Sequence, residues 1–210
     1  MIKSMLPLLL AKGGLMMWLL LVASAVGIGV FIERFLHYHR AQINSAEFLN
    51  GVRNVLKRGN VVEALSICEA TPGPVARLVK TAILNRERSR EEIREVLEES
   101  GRIEVPRLEE KLNVLATIAQ IAPLMGFLGT VLGFIKIFYR LQQAGLYAHM
   151  GQLSEGIWEG LICTALGLAI AIPGYAGYNY LVSRVNEIVL DMEKTSTEVL
   201  HLLSESRTLP

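Results

Sequence analysis

The sequence predicts an all-α membrane protein in which three transmembrane helices are extended by a cytoplasmic helical domain. Hydrophobic residues make up 51% of the chain and charged residues 20%, yet three long runs contain no charge. These runs are Gly13 to Ile32, Leu112 to Ile135 and Gly160 to Ser183, with 20, 24 and 24 residues. A helix needs about 20 apolar residues to cross the hydrocarbon core of a bilayer, so each run is long enough to span it.

The first run has an alternative interpretation as a cleaved secretory signal. Lys3 precedes it, and Ala23-Ser24-Ala25 has the small-x-small form of a cleavage site. The apolar stretch continues past those residues to Ile32, and Glu33 and Arg34 then close it like a membrane boundary. This continuation favours an uncleaved first transmembrane helix.

The distribution of basic residues predicts the orientation. Of the 21 Lys and Arg residues, 14 lie between Arg34 and Lys111, whereas the segment from Gln142 to Glu159 has none. Because cytoplasmic loops carry the excess of positive charge, the middle segment is expected in the cytoplasm and the N-terminus outside. Lys136 and Arg140 depart from this bias and are interpreted as snorkelling side chains. The predicted segments are 1–12 outside, 13–36 spanning, 37–111 cytoplasmic, 112–139 spanning, 140–156 outside, 157–183 spanning and 184–210 a cytoplasmic C-terminal helix.

The middle segment shows helical patterns and no strand pattern. Ser45 is expected to cap one helix that Gly59 ends, and Asn60 to cap the next. The run Thr71-Pro72-Gly73-Pro74 then breaks the chain. These signals predict a series of short helices.

Ser89 is expected to start a charged helix that continues straight into the second membrane run. Pro106 would kink this helix near the membrane boundary, because proline removes a backbone donor and crowds the preceding turn. Basic and acidic residues are interleaved along this helix, as in the pair formed by Arg94 and Glu98. This pattern is typical of a solvated helix face with local ion pairs, and a contact between neighbouring copies of the chain is the alternative.

Several function classes are not supported by the sequence. The middle segment has 14 basic residues against 12 glutamates, so the clustered positive charge expected of a nucleic-acid site is absent. Cys68 and Cys163 have no metal-ligand spacing and are interpreted as packing residues, and His37 and His39 lack further ligands nearby. Nucleotide, hydrolase and metalloprotease motifs are also absent. We therefore expect no enzyme, no metal and no cofactor.

Small residues form stripes on the second and third spans, and each stripe contains one threonine, Thr130 or Thr164. Such stripes indicate a closely packed neighbour, while the threonines could simply bond their own i−4 carbonyls. Prolines in both spans free a backbone carbonyl one turn earlier, which predicts a partner helix or a wet cavity beside them. The residues assigned to packing or kinks are Pro123, Gly126, Gly129, Gly133, Gly160, Gly167 and Pro173.

Two blocks of sequence carry a family resemblance. The stretch Leu115 to Phe134, with Ile121-Ala122-Pro123 and Gly126-Phe127-Leu128-Gly129-Thr130-Val131-Leu132-Gly133, resembles the second transmembrane helix of the TolQ and ExbB proton-channel family. The stretch Glu155 to Leu168, continued by Ile172-Pro173 and Tyr178-Asn179, resembles its third. Leu128 and Leu132 depart from the Phe and Trp that are frequent there, so the ExbB and TolQ branches are not separated.

The resemblance implies a motor subunit of the bacterial inner membrane with a periplasmic N-terminus and a cytoplasmic C-terminus. A homopentameric ring would enclose a dimer of a single-span ExbD- or TolR-like partner, with a TonB- or TolA-like protein beyond it. It would use the proton motive force for outer-membrane transport or envelope maintenance. The resemblance places Thr130 and Thr164 in the lumen beside an aspartate of the partner, and Glu159 near the channel mouth.

The residues themselves lead to a compatible hypothesis. No Asp, Glu, His or Lys lies in the central part of any predicted span, and threonine does not titrate near neutral pH. A proton site would therefore need a carboxylate from another chain, which threonine hydroxyls could solvate. The competing predictions are a non-conducting scaffold and a small-solute transporter, and the second is disfavoured because the chain has few spans and no internal repeat.

Overall fold

The computed structural model describes residues 14–144 and 150–208, and all regular secondary structure within them is helical. Each predicted span lies in a helical stretch that is long and apolar enough to cross a membrane. The all-helical class with three membrane-length segments is therefore confirmed. The helices are α1 (Gly14–Ala41), α2 (Ser45–Lys57), α3 (Val61–Ala70), α4 (Pro74–Leu84), α5 (Arg90–Glu109), α6 (Leu112–Ala144) and α7 (Met150–Thr208).

The chain divides into two compact units. Unit 1 comprises Met1–Glu33 and Lys111–Tyr180, and unit 2 comprises Arg34–Glu110 and Leu181–Pro210. Unit 1 contains α6 and the first parts of α1 and α7. Unit 2 contains α2 to α5 and the last parts of α1 and α7.

Unit 1 buries several small residues beside a few large ones and leaves many large apolar side chains exposed. Its interior cluster is built on Leu20, Ala122 and Ala171. Large apolar side chains cover its surface, with Leu124 66% and Ile172 70% exposed. A water-soluble unit would have the reverse arrangement, whereas helices in lipid gain nothing by hiding large side chains and pack closely through small ones.

Several predicted helix ends are confirmed in unit 2. Gly59, with a φ of +74°, follows the end of α2, and the side chain of Asn60 accepts a hydrogen bond from the Glu63 amide at 3.2 Å. Ser89 and Glu92 form a reciprocal capping box at the start of α5. The Ser89 amide donates to the Glu92 carboxylate, and this hydrogen bond holds the pKa of Glu92 below its usual value.

The predicted cap of α2 was wrong by one residue. Asn44 is the capping residue, because its side-chain oxygen accepts from the Glu47 amide at 3.3 Å. Ser45 is the first helical residue instead, and its hydroxyl is buried with no hydrogen-bond partner in the described part of the chain. Both residue types cap helices well, so the sequence pattern alone did not separate neighbouring candidates.

The prediction that α5 continues straight into α6 was also wrong. The helical backbone stops after Glu109 and resumes at Leu112, and Lys111 has a φ of +66°. The Tyr38 hydroxyl donates to the Leu108 carbonyl oxygen at 2.5 Å. In an uninterrupted helix that carbonyl would accept from the Leu112 amide, so Tyr38 takes the place of the missing helical hydrogen bond. Pro106 lies inside α5, upstream of the break.

In unit 2, seven of the eleven residues of α4 are buried, and a buried carboxylate joins it to α5. Glu104 has a side chain only 8% exposed, and it accepts from Arg77 at 2.5 Å and from Arg107 at 3.1 Å. The two arginine side chains are 53% and 65% exposed. The carboxylate is therefore the desolvated member of this cluster, and the arginines compensate its charge.

We expect loss of both arginines to destabilise unit 2 more than loss of the glutamate. Arg77→Ala with Arg107→Ala leaves a buried charge uncompensated, at a cost of about 3–5 kcal/mol, whereas Glu104→Ala leaves two hydrated cations. Cys68, buried in α3, can report local opening, because burial raises the pKa of its thiol to about 11. Alkylation of Cys68 should accelerate at least about a hundredfold in the double variant. Equal rates in the Glu104→Ala and double variants would contradict this prediction.

The exposed face of α5 carries local ion pairs. Arg94 donates to Glu98 at 3.0 Å within the helix, and their side chains are 72% and 55% exposed. This geometry supports the solvated-face interpretation of the interleaved charges. A contact with neighbouring copies through this face stays a prediction.

Candidate functional site

Glycines determine how closely α6 and α7 approach each other. A Cβ built on Gly126 would lie 2.8 Å from the Cys163 carbonyl oxygen, and one built on Gly133 would lie 2.7 Å from the Gly156 carbonyl oxygen. Both distances are shorter than the van der Waals contact between a non-bonded carbon and oxygen. The two helices therefore touch backbone to backbone along this stripe, as small residues allow in membrane helices.

The glycines of α7 make the reciprocal contacts. A Cβ on Gly160 would lie 2.8 Å from the Thr130 Cα, and one on Gly167 would lie 2.5 Å from the Ala122 carbonyl oxygen. Gly129 faces the Cys163 side chain, where an added Cβ would come within 2.6 Å of another Cβ. The five glycines assigned to packing thus all lie at close approaches between α6 and α7.

The two threonines meet at the centre of this contact. The Thr130 hydroxyl donates to the Gly160 carbonyl oxygen at 3.0 Å, and the Thr164 hydroxyl donates to the Gly126 carbonyl oxygen at 3.0 Å. The two hydroxyls also contact each other directly. Because Gly126 is the i−4 residue of Thr130 and Gly160 that of Thr164, each hydroxyl bonds the carbonyl expected for the other. The hydrogen bonds cross between the helices instead of closing within them.

The threonine pair has fewer protons than contacts. Two contacts go to carbonyl oxygens, which only accept, and the third joins the hydroxyls themselves. Two hydroxyls supply two protons, so at most two of these three contacts are hydrogen bonds at one time. When both protons point to the carbonyls, two hydroxyl oxygens with free lone pairs face each other. In this arrangement the threonine pair accepts a hydrogen bond from another group more readily than it donates one.

The surroundings of the pair are apolar and uncharged. Both threonines are half-buried, and the neighbouring Phe127 and Leu161 are 64% and 57% exposed. No charged residue occurs in 112–135 or 160–183. By contrast, Thr117 on the same helix donates to its own i−4 carbonyl, that of Asn113, at 2.7 Å. Cross-helix bonding thus distinguishes Thr130 and Thr164 from an ordinary helical threonine.

Glu159 lies on α7, toward its N-terminal end from Thr164, and forms an ion pair with α6. Lys136 donates to the Glu159 carboxylate at 2.8 Å, and the Glu159 side chain is 17% exposed. One turn farther along, Arg140 and Glu155 approach to 3.4 Å. Lys136 and Arg140, which depart from the positive-inside bias, are therefore each paired with a carboxylate. These two ion pairs were not predicted from the sequence. The two basic residues are four positions apart, and so are the two acidic residues, and this matching spacing could have indicated the pairs.

Both prolines lie inside uninterrupted helices, Pro123 in α6 and Pro173 in α7. Pro123 is half-buried and Pro173 is exposed. Cys163 is buried against Gly129, and its small side chain fits the close approach there. Within 14–144 and 150–208, no three His, Cys, Asp or Glu side chains are grouped so that they could hold a metal ion.

Comparison with known proteins gives consistent matches. A family model described as the MotA/TolQ/ExbB proton channel family matches residues 70–194, which include both threonines. A putative biopolymer transport protein ExbB homolog of Methanothermobacter thermautotrophicus is 30% identical over 186 residues, which are 87% of this chain and 64% of that protein. The putative ExbB-like 1 protein of Synechocystis is 33% identical over 177 residues, covering 82% and 68%.

A TolQ protein of the Tol-Pal system is also similar. The protein from Haemophilus influenzae is 42% identical over 88 residues, which are 42% of this chain and 38% of that protein. The Aquifex aeolicus biopolymer transport protein ExbB is 42% identical over 86 residues, or 57% of its length. The chain thus spans less than two thirds of several of these relatives, and matches both ExbB and TolQ proteins.

Proposed function

The chain belongs to the MotA/TolQ/ExbB proton channel family, and from this membership we propose that it is the channel-forming subunit of an ExbB–ExbD or TolQ–TolR type motor. Several copies, five by analogy with the family, would surround a dimer of a single-span partner in the bacterial inner membrane. The complex would use the proton motive force to drive outer-membrane transport or envelope maintenance, with a TonB- or TolA-like protein as the element driven.

The crossed hydrogen bonds of Thr130 and Thr164 are the observation that carries the proposal. They gather hydroxyl groups at one level of the uncharged runs of α6 and α7, with both side chains partly accessible. Hydroxyls there can bind a proton donor but do not hold a transferable proton near neutral pH. The acid that does so must come from a partner, whose carboxyl group would need polar neighbours in lipid.

The hydroxyl pair suits the neutral form of that acid. A proton from the periplasmic side would bind the partner's carboxylate and give a carboxylic acid, which donates a hydrogen bond to the Thr130 and Thr164 oxygens. The ionised carboxylate has no proton to donate, so it would have to draw a hydroxyl proton away from a glycine carbonyl. The neutral acid then passes the pair, releases its proton toward the cytoplasm and becomes a carboxylate again.

The membrane potential supplies the driving force for this cycle. One charge that crosses the membrane releases about 2.3 kcal/mol for each 100 mV of potential. One or two protons are enough to move a partner helix past modest barriers. The orientation follows from the basic residues between Arg34 and Lys111, which favour a cytoplasmic middle segment, a periplasmic N-terminus and a cytoplasmic C-terminus.

Proton flux into liposomes tests the proposal. The chain is reconstituted with and without a single-span ExbD- or TolR-like protein, a potential is imposed, and internal pH is followed with a trapped dye. We expect flux only when both proteins are present. A scaffold, the alternative function, would give a stable complex without flux, and that result would overturn the channel proposal.

A further inference from the structure

We propose that Lys136 and Glu159 form a compensating ion pair that fixes α6 against α7 and keeps the entrance near the threonine pair free of net charge, and that Glu159 acts as a charge partner and not as a relay for the transported protons. The inference rests on the proposed channel function and adds a positioning role for Lys136. It also assigns Glu159, expected near the channel mouth, as the charge partner of that lysine.

The position of the carboxylate is defined by three helices of unit 1. Lys136 of α6 donates to it at 2.8 Å. Gly14, the first residue of α1, has a φ of +58° and lies directly against it, so that an added Cβ at Gly14 would overlap the carboxylate.

Burial separates this pair from the one beyond it. The Glu159 side chain is 17% exposed and its partner Lys136 48%, whereas Glu155 and Arg140 are 44% and 39% exposed and 3.4 Å apart, so Glu159 is the one partly buried charge of these four. Exposed pairs contribute little, because water screens both charges, and a partly buried charge is costly once its partner is removed. The pair of Lys136 and Glu159 is therefore the one whose loss would matter.

The location explains how the pair would affect proton entry. Lys136 lies six residues beyond Thr130 on α6, about 9 Å along the helix axis at 1.5 Å per residue. Without Glu159, Lys136 would carry an uncompensated positive charge less than two helical turns from Thr130 along α6. Such a charge repels an incoming proton and lowers its local concentration. Among the described residues, Cys163 on α7 also interacts electrostatically with Glu159, and the ion pair of Arg140 and Glu155 lies about one turn away on the two helices.

A double-mutant cycle separates a charge partner from a proton carrier. With the partner protein present, Glu159→Gln should lower proton flux about tenfold, and Glu159→Gln combined with Lys136→Met should restore flux to within about twofold of wild type. The restored variant should keep the wild-type dependence of flux on external pH. A double variant as inactive as Glu159→Gln would overturn the proposal. If Glu159 relayed protons itself, removal of the Lys136 charge could not restore the flux that is lost in Glu159→Gln. Glu155→Gln, which alters the exposed pair, is the matched control and should change flux less than twofold.

A second measurement keeps the test independent of conduction. Melting temperatures of the detergent-solubilised chain are compared for wild type, both single variants and the double variant. Each single variant should melt lower than wild type, and the double variant should melt higher than the sum of the single effects predicts. Additive effects would overturn the ion pair even if flux fell. If the melting temperatures showed non-additive effects but wild-type protein with its partner conducted no protons, the channel proposal would fail and the ion pair would stand.

Discussion

Replacing Gly167 by alanine is expected to reduce partner-dependent proton flux by at least about tenfold. The new Cβ would lie 2.5 Å from the Ala122 carbonyl oxygen, which belongs to a rigid helix backbone and cannot rotate away. The helices must move apart, at a cost of roughly 1–3 kcal/mol for overpacking. A shift of a few tenths of an ångström also lengthens the crossed threonine bonds, so stability and flux should fall together.

Gly29 offers the matched control for this substitution. It lies in α1 of the same unit, and a Cβ there would meet no atom within 4 Å. Gly29→Ala should leave flux and melting temperature close to wild type, since alanine also has the higher helix propensity. Gly174, where a Cβ would lie 3.3 Å from the Ala119 Cβ, should give an intermediate effect. Equal behaviour of the Gly167 and Gly29 variants would show that the helices are not in backbone contact.

Replacing Thr130 or Thr164 by valine is expected to lower proton flux about ten- to a hundredfold and to leave assembly with the partner intact. Valine keeps the shape of threonine and removes only the hydroxyl. The Gly126 and Gly160 carbonyls also accept amide hydrogen bonds within their own helices, so the substitution leaves neither without a partner. The effect should therefore appear in flux, not in folding.

Thr117→Val and the serine variants provide the comparisons for this prediction. Thr117 donates to its own helix at 2.7 Å, so its loss should leave flux unchanged. Thr130→Ser and Thr164→Ser keep the hydroxyl and should retain most of the flux. Liposome flux and co-purification with the partner protein measure the two properties separately. Full proton-dependent activity in both valine variants would exclude any role for the hydroxyl pair.

Local signals predicted much of this fold. Uncharged runs of 20 to 24 residues identified the three membrane-length segments, because backbone polar groups in lipid leave few alternatives to a helix. Gly59, Asn60 and Ser89 were placed correctly at helix ends, since their conformational and capping preferences act over a few residues. The stripes of small residues likewise identified the faces of α6 and α7 that come together.

The errors and omissions concern contacts between distant parts of the sequence. The break before α6 depends on Tyr38, 70 residues away from the carbonyl that it occupies. The sequence showed that Thr130 and Thr164 needed hydrogen-bond partners, but the crossed pairing depends on the register of two antiparallel helices. The pairing of Lys136 with Glu159 depends on the same register. Side-chain patterns within one helix do not determine how it aligns with another.

The crossed threonine bonds have a mechanical consequence. The protons that the hydroxyls give to Gly126 and Gly160 also tie α6 to α7. In the proposed cycle the neutral acid donates to the hydroxyl oxygens and leaves both ties in place, whereas the ionised form has to draw a hydroxyl proton away and loosens one of them. The stiffness of the contact between α6 and α7 would then report the protonation state of the partner's acid.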